Sequence, residues 1–124
     1  MDFSLSEEQE ELLSIVSSVL EEESTSGVAR EPFESASGYN ETLWHTLCGE
    51  IGVASLAIPE EYGGAGYTYL ETHLVLEALG RSLTSSPFFA SVVLGAHAIS
   101  SMASHEDSLR LLPDIASGSS IATL

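Results

Sequence analysis

Leu12, Leu13, Val16, Val19 and Leu20 recur at the spacing of one helical face, while Glu10, Glu11 and Glu21 to Glu23 fall mostly off it. This pattern predicts an amphipathic first helix with an acidic outer side. Its start is marked by Ser6-Glu7-Glu8-Gln9, where a hydroxyl and the side chain three residues on can satisfy each other's free amides. Glu21, Glu22 and Glu23 oppose the negative end of the helix dipole, so the helix is expected to fray into a linker over residues 24–38. Asn40 can cap a short second helix that runs through Cys48, buries Leu43, Leu47 and part of Trp44, and stops at Gly49 or Gly52. Residues 51–58 are apolar but lead into Pro59-Glu60-Glu61-Tyr62-Gly63-Gly64-Ala65-Gly66, where proline and glycine break regular structure. Thr68-Tyr69-Leu70-Glu71 opens another helix in the same way as Ser6, with Leu70, Leu74, Val75, Ala78 and Leu79 on one side and Gly80 at its end.

After a break over residues 82–86, Pro87 stands at a first-turn position, where its missing amide is harmless. Phe88, Phe89, Val92, Val93, Leu94, Ile99 and Met102 then cover more than one side of the most apolar helix, which is either central to the bundle or faces something else. Ser104 to Asp107 caps a last helix bearing Leu109, Leu111 and Leu112, which is expected to end near Pro113, with Gly118 closing a final turn. The expected fold is all-α, a bundle of about five helices with one long Pro/Gly loop.

At 124 residues the chain is expected to form one domain, 1–124, and its 44% apolar and 18% charged composition excludes disorder. The charge changes the functional picture more. Arg30, Arg81 and Arg110 are the only Lys or Arg residues against 19 acids, a balance of −16, which excludes a phosphate-binding surface for nucleic acid. The lack of lysine also excludes the Walker-type phosphate loop, Schiff-base chemistry and Ser-Lys nucleophile pairs. Cys48 is the single cysteine and Met1-Asp2-Phe3 lacks a signal-peptide pattern, so a cytoplasmic protein is expected. The dense apolar run 88–99 is too short for a membrane span.

Candidate chemistry is sparse. Gly63-Gly64-Ala65-Gly66 lacks the third glycine of a dinucleotide fingerprint, since Tyr69 stands there, so a turn needing positive φ is the simpler account. His45 with Cys48, or His73 with Glu77, could share a helix face, but a metal site needs three or four ligands and the four histidines are scattered, so no metal is expected. Cys48 reads as a small buried residue rather than a nucleophile, and the many glutamates as a solvated face.

Taken in order, Asp2-Phe3-Ser4-Leu5-Ser6-Glu7-Glu8-Gln9, Gly52 with Ile58-Pro59-Glu60-Glu61-Tyr62-Gly63-Gly64-Ala65-Gly66, Leu76-Glu77-Ala78-Leu79-Gly80-Arg81 and Leu111-Leu112-Pro113-Asp114-Ile115-Ala116-Ser117-Gly118 resemble the N-terminal helical domain of acyl-CoA dehydrogenases. The likeness runs in register from residue 2 to 124, with the Pro-Glu-Glu-Tyr-Gly-Gly-x-Gly loop as its most specific element. The Pro87-Phe88-Phe89 start is similar to a branch with many actinobacterial members, some of them mixed-subunit enzymes acting on sterol-derived thioesters.

The resemblance implies α,β-dehydrogenation of an acyl-CoA, in which a glutamate takes the α proton and the β hydrogen leaves as hydride to FAD. In the family FAD sits chiefly in a following β domain and the base in a C-terminal helical domain, both absent from these residues. No catalytic or cofactor-binding residue is therefore carried over, and the chain alone is expected to be inactive and to bind no cofactor. Carried over instead are Phe88, Ser91, Val92 and Gly95, as candidates for the far end of the acyl pocket. The implied partners are the acyl-CoA substrate and other subunits, in a homo-oligomer or a mixed assembly, with the uncharged region 83–103 as the surface for self-association. The alternative is a stand-alone helical interaction module, or a partner subunit that has lost the chemistry.

Overall fold

The computed structural model describes residues 2–23 and 35–124. Arg30, and residues 24–34 of the expected linker, lie outside the described residues. Among those described, the chain is built of helices and turns without strands. These are α1 (Glu7–Glu23), α2 (Glu41–His45), α3 (Tyr69–Arg81), α4 (His97–Met102) and α5 (His105–Ala116), joined by short 3₁₀ turns at Val53–Ser55 and Glu60–Tyr62. Two segments, Thr46–Ile51 and Phe88–Ala96, are wound as wider π-helix, the first extending α2 and the second leading into α4.

The start signals act as expected. Gln9 N–H donates to Ser6 Oγ at 3.2 Å while Ser6 N–H donates to Gln9 Oε1 at 2.9 Å. Asn40 accepts from Leu43 N–H, and Thr68 and Glu71 form the full reciprocal pair. Ser104 Oγ accepts from Asp107 N–H at 3.1 Å.

Stops and faces differ more. Gly52, not Gly49, ends the second helical stretch, with φ +83° and its N–H on Leu47 O. α3 runs one residue past Gly80, and Leu70 on its outer side is exposed. α5 does not stop at Pro113 but continues to Ala116. Pro113 lacks the N–H that would meet the carbonyl of Leu109, and Leu109 lies on the exposed side, where water can take that carbonyl. The buried side of α5 is therefore Ser108, Leu112, Ile115 and Ala116 rather than Leu109 and Leu111.

The main core joins Val16 and Leu20 of α1, Leu43, Trp44 and Leu47 of the second helical stretch, Val75, Ala78 and Leu79 of α3, and Phe88 and Val92. Trp44 is wholly inside, not partly, because its indole N–H finds the carbonyl of Gly118 at 3.1 Å. A smaller core of Ile58, Ala96, Leu112, Ile115 and Ala116 ties the Pro/Gly loop to α5.

Gly63 and Gly66 in that loop have φ of +85° and +71°, a conformation side chains resist. Gly64 does not, contrary to the expectation from its place in the glycine run. Its reason is proximity, since a Cβ there would stand 1.8 Å from the carbonyl oxygen of Ile58.

Candidate functional site

The Phe88–Ala96 helix is the element that the sequence nominates, and its four candidates share its inward side. Phe88 and Ser91 are completely buried, Val92 belongs to the main core, and Gly95 is also buried. Ser91 Oγ accepts the N–H of Ala122 at 3.0 Å. A Cβ on Gly95 would meet the methyl of Ala122 at 2.7 Å. In the described structure these residues thus face the domain's interior and the segment that follows α5. The outward side carries Phe89, half exposed at 52%, with Leu94 and His97. Tyr69 at the start of α3 bonds through its hydroxyl to His97 Nδ1, with the rings edge-on at 5.1 Å between centroids. His73 Nδ1 in turn meets the Tyr69 carbonyl at 2.6 Å. Tyr62 and His105 form a similar pair at 3.0 Å.

No sequence pattern announces these contacts. Tyr69 and His97 are 28 residues apart and Tyr62 and His105 are 43 apart, and only the packing of α3 and α5 against the rest joins them.

A concavity of about 420 Å³ lies between α1, the end of the Thr46–Ile51 π-helical segment and the start of α3. Its floor includes Leu12, Ile15, Ile51 and Leu56, and Glu8, Glu11, Glu50 and Glu71 also line it. Glu71 is the buried one. Burial pushes its carboxyl up, but hydrogen bonds from the Thr68 hydroxyl and the Gln9 amide, with further backbone donors, outweigh that and leave it below the usual glutamate range. Because the folded value is depressed, this tie between α1 and α3 contributes fully above the unfolded value and is lost as pH falls through the folded one. Glu71→Gln should therefore be less stable than the parent at neutral pH, with the difference shrinking below about pH 4. Urea unfolding of both proteins over pH 7 to pH 3 checks this through their difference, which largely cancels the relief of general repulsion on acidification; a pH-independent gap would overturn it.

The chemistry available is limited. Burial raises the Cys48 thiol to about 12, so it stays protonated and is a poor nucleophile. Among the described residues no three His, Cys, Asp or Glu side chains converge as a metal site. A dinucleotide such as FAD does not fit the groups present. The N–H groups from Gly63 to Tyr67 are already spent on Glu60, Pro59, Ser55, Ile58 and Leu56 carbonyls, leaving none for a phosphate. Arg81 and Arg110 are exposed and paired with Glu77 and Asp107, and the concavity lined by Glu8, Glu11, Glu50 and Glu71 would repel a diphosphate. Among the described residues no helix is long and apolar enough to cross a membrane.

Such an arrangement defines an all-helical domain that presents an apolar helix. Residues 6–119 match the family model described as acyl-CoA dehydrogenase, N-terminal domain. The acyl-CoA dehydrogenase IpdE2 of Mycobacterium tuberculosis is 33% identical over 118 residues, which cover 95% of this chain and 36% of that protein. Its namesake from Mycolicibacterium smegmatis is 38% identical over 89 residues, covering 72% of this chain and 29% of the relative. The fold matches the crystal structure of the ChsE4-ChsE5 complex from Mycobacterium tuberculosis with a TM-score of 0.88 and 33% identity, over 99% of this chain and 34% of that one. The chain belongs to the acyl-CoA dehydrogenase family and corresponds to its N-terminal domain. It spans about a third of the length of these relatives.

Proposed function

We propose that these residues form the N-terminal part of a flavin-dependent enzyme that dehydrogenates an acyl-CoA thioester between its α and β carbons, and are inactive alone. The observation that carries this reading is the agreement of sequence family and fold along nearly the whole chain. FAD supplies the hydride acceptor in such an enzyme. In this reading the flavin site and the base belong to the following β domain and the C-terminal helical domain that the family likeness implies. The domain's own share is structural and steric. Phe88–Ala96 is the wall of the acyl pocket's far end, with Phe88, Ser91, Val92 and Gly95 fixing its position from behind. Phe89 is the ring best placed to meet an acyl group, fatty or sterol-type, because it is half exposed on the outward side of that helix.

Exposed Leu83, Phe89, Leu94 and Met102 support burial against other parts of an assembly, either copies of the same subunit or a mixed complex. A cytoplasmic location fits the free Cys48.

The coding frame after Leu124 tests the reading. Continuation into Thr-Glu-Pro and Gly-Ser-Asp segments supports it, and a stop codon there favours the stand-alone helical module instead. The 124-residue chain is also expected to emerge from FAD incubation and desalting without flavin absorbance. Flavin retained near one equivalent would reveal a site in the domain itself.

A further inference from the structure

We propose that Ser91 and Gly95 form a latch for the segment after α5, holding the outgoing chain to the Phe88–Ala96 helix in a single register. Three pins fall on alternate residues of that segment. The carbonyl of Gly118 accepts the Trp44 indole N–H at 3.1 Å, in a turn where Gly118 has φ +79° and packs on Cys48. The N–H of Ser120 donates to the Asp114 carbonyl at 3.0 Å. The N–H of Ala122 donates to Ser91 Oγ at 3.0 Å, and its methyl fills the notch that Gly95 leaves. Residues 117–120 turn and residues 121–124 follow without regular structure, so these fitted contacts and not a strand ladder set the register, while Ile121 and Leu124 stay exposed. Slipping by one residue would aim Ile121 or Thr123 at a notch sized for a methyl and leave the buried Ser91 hydroxyl without that partner.

The consequence rests on the reading of Phe88–Ala96 as a pocket wall. The wall and the chain leaving the domain move as one piece, and the contacts that set their spacing are Ser91 and Gly95 rather than a loop. A ligand that displaces the wall is therefore felt at Ala122, on the far side of the helix from Phe89.

Amide hydrogen exchange of the 124-residue chain, read residue by residue by NMR, tests the latch. The Ala122 amide is expected to be protected although it lies only two residues before Leu124. Ser91→Ala should speed its exchange by about tenfold while amides of α1 and α3 keep their rates. Gly95→Ala should free residues 120–124 in the same way, and moving the methyl back with Gly95→Ala/Ala122→Gly should restore protection. Should a core variant fail to fold, Ala122→Pro removes the donor from the tail side, and Ile121 and Thr123 should then exchange faster with the core unchanged. Fast exchange at Ala122 in the unaltered chain overturns the latch. So does a Gly95→Ala effect that the second substitution leaves unrepaired, or loosening that spreads evenly through the domain. The measurement uses neither flavin nor acyl-CoA, so its failure leaves the pocket-wall reading standing, and the converse also holds.

Discussion

Gly64→Ala is expected to destabilise the domain by roughly 3 to 5 kcal/mol, more than a forbidden φ alone would. The added methyl carbon would lie 1.8 Å from the Ile58 carbonyl oxygen and 2.3 Å from its carbon. Both are backbone atoms, so no rotamer change relieves the overlap and the loop itself must open. Opening it strains the bonds from Gly66 N–H to Ile58 O at 3.0 Å, Ala65 N–H to Ser55 O at 2.9 Å and Tyr67 N–H to Leu56 O at 2.7 Å. Each is worth about 1 kcal/mol, and Ile58 also belongs to the core shared with α5. Gly63→Ala is the control. Its φ of +85° is unfavourable, but the nearest Pro113 atoms would be 3.6 Å away, so about 1 kcal/mol is expected. Urea unfolding of the two variants measures the contrast. Equal losses would mean that conformation rather than proximity selects glycine at both positions.

Phe88→Ala is the second large effect, expected to remove about 3 to 5 kcal/mol, while Phe89→Ala removes under about 1 kcal/mol. Phe88 is completely buried among the residues of the main core, whereas Phe89 beside it is 52% exposed. A domain of this size has only about 5 to 15 kcal/mol to lose, so the first variant should unfold at far lower urea concentration than the parent. If Phe88→Ala proved as stable as the parent, Phe88 would not be a core residue, and the inward orientation of that side of the Phe88–Ala96 helix would be wrong.

The two phenylalanines show where sequence reading reaches its limit. Neighbours of one residue type carry no mark of which turns inward, particularly in a helix wound wider than 3.6 residues per turn, where the periodicity used to sort faces no longer holds. The same limit explains α5. Its leucines at 109, 111 and 112 suggested a stripe, but packing chose Ser108, Leu112, Ile115 and Ala116, and the helix runs through Pro113 with Leu109, one turn before it, on the exposed side. Candidate pocket positions Phe88, Ser91, Val92 and Gly95 were legible as a group through the family likeness. That they turn into the domain's interior was not, because Ser91 and Gly95 owe their surroundings to Ala122, which lies 31 residues beyond Ser91.

What the sequence alone determined were the local decisions. Ser6, Asn40, Thr68 and Ser104 start helices because their side-chain oxygens reach amides two or three residues away, and apolar spacing makes the α1 and α3 faces that meet in the core. The absence of lysine and the −16 balance were equally decisive in excluding chemistry, since charge needs no fold to be counted. Tertiary structure alone decided the contacts between distant residues. It brought Gln9 to Glu71, Trp44 to Gly118 and Tyr69 to His97, and set Ala122 on Ser91 and Gly95. Those partners are separated by many turns of chain, so their meeting depends on how whole helices pack, and no short-range pattern encodes it.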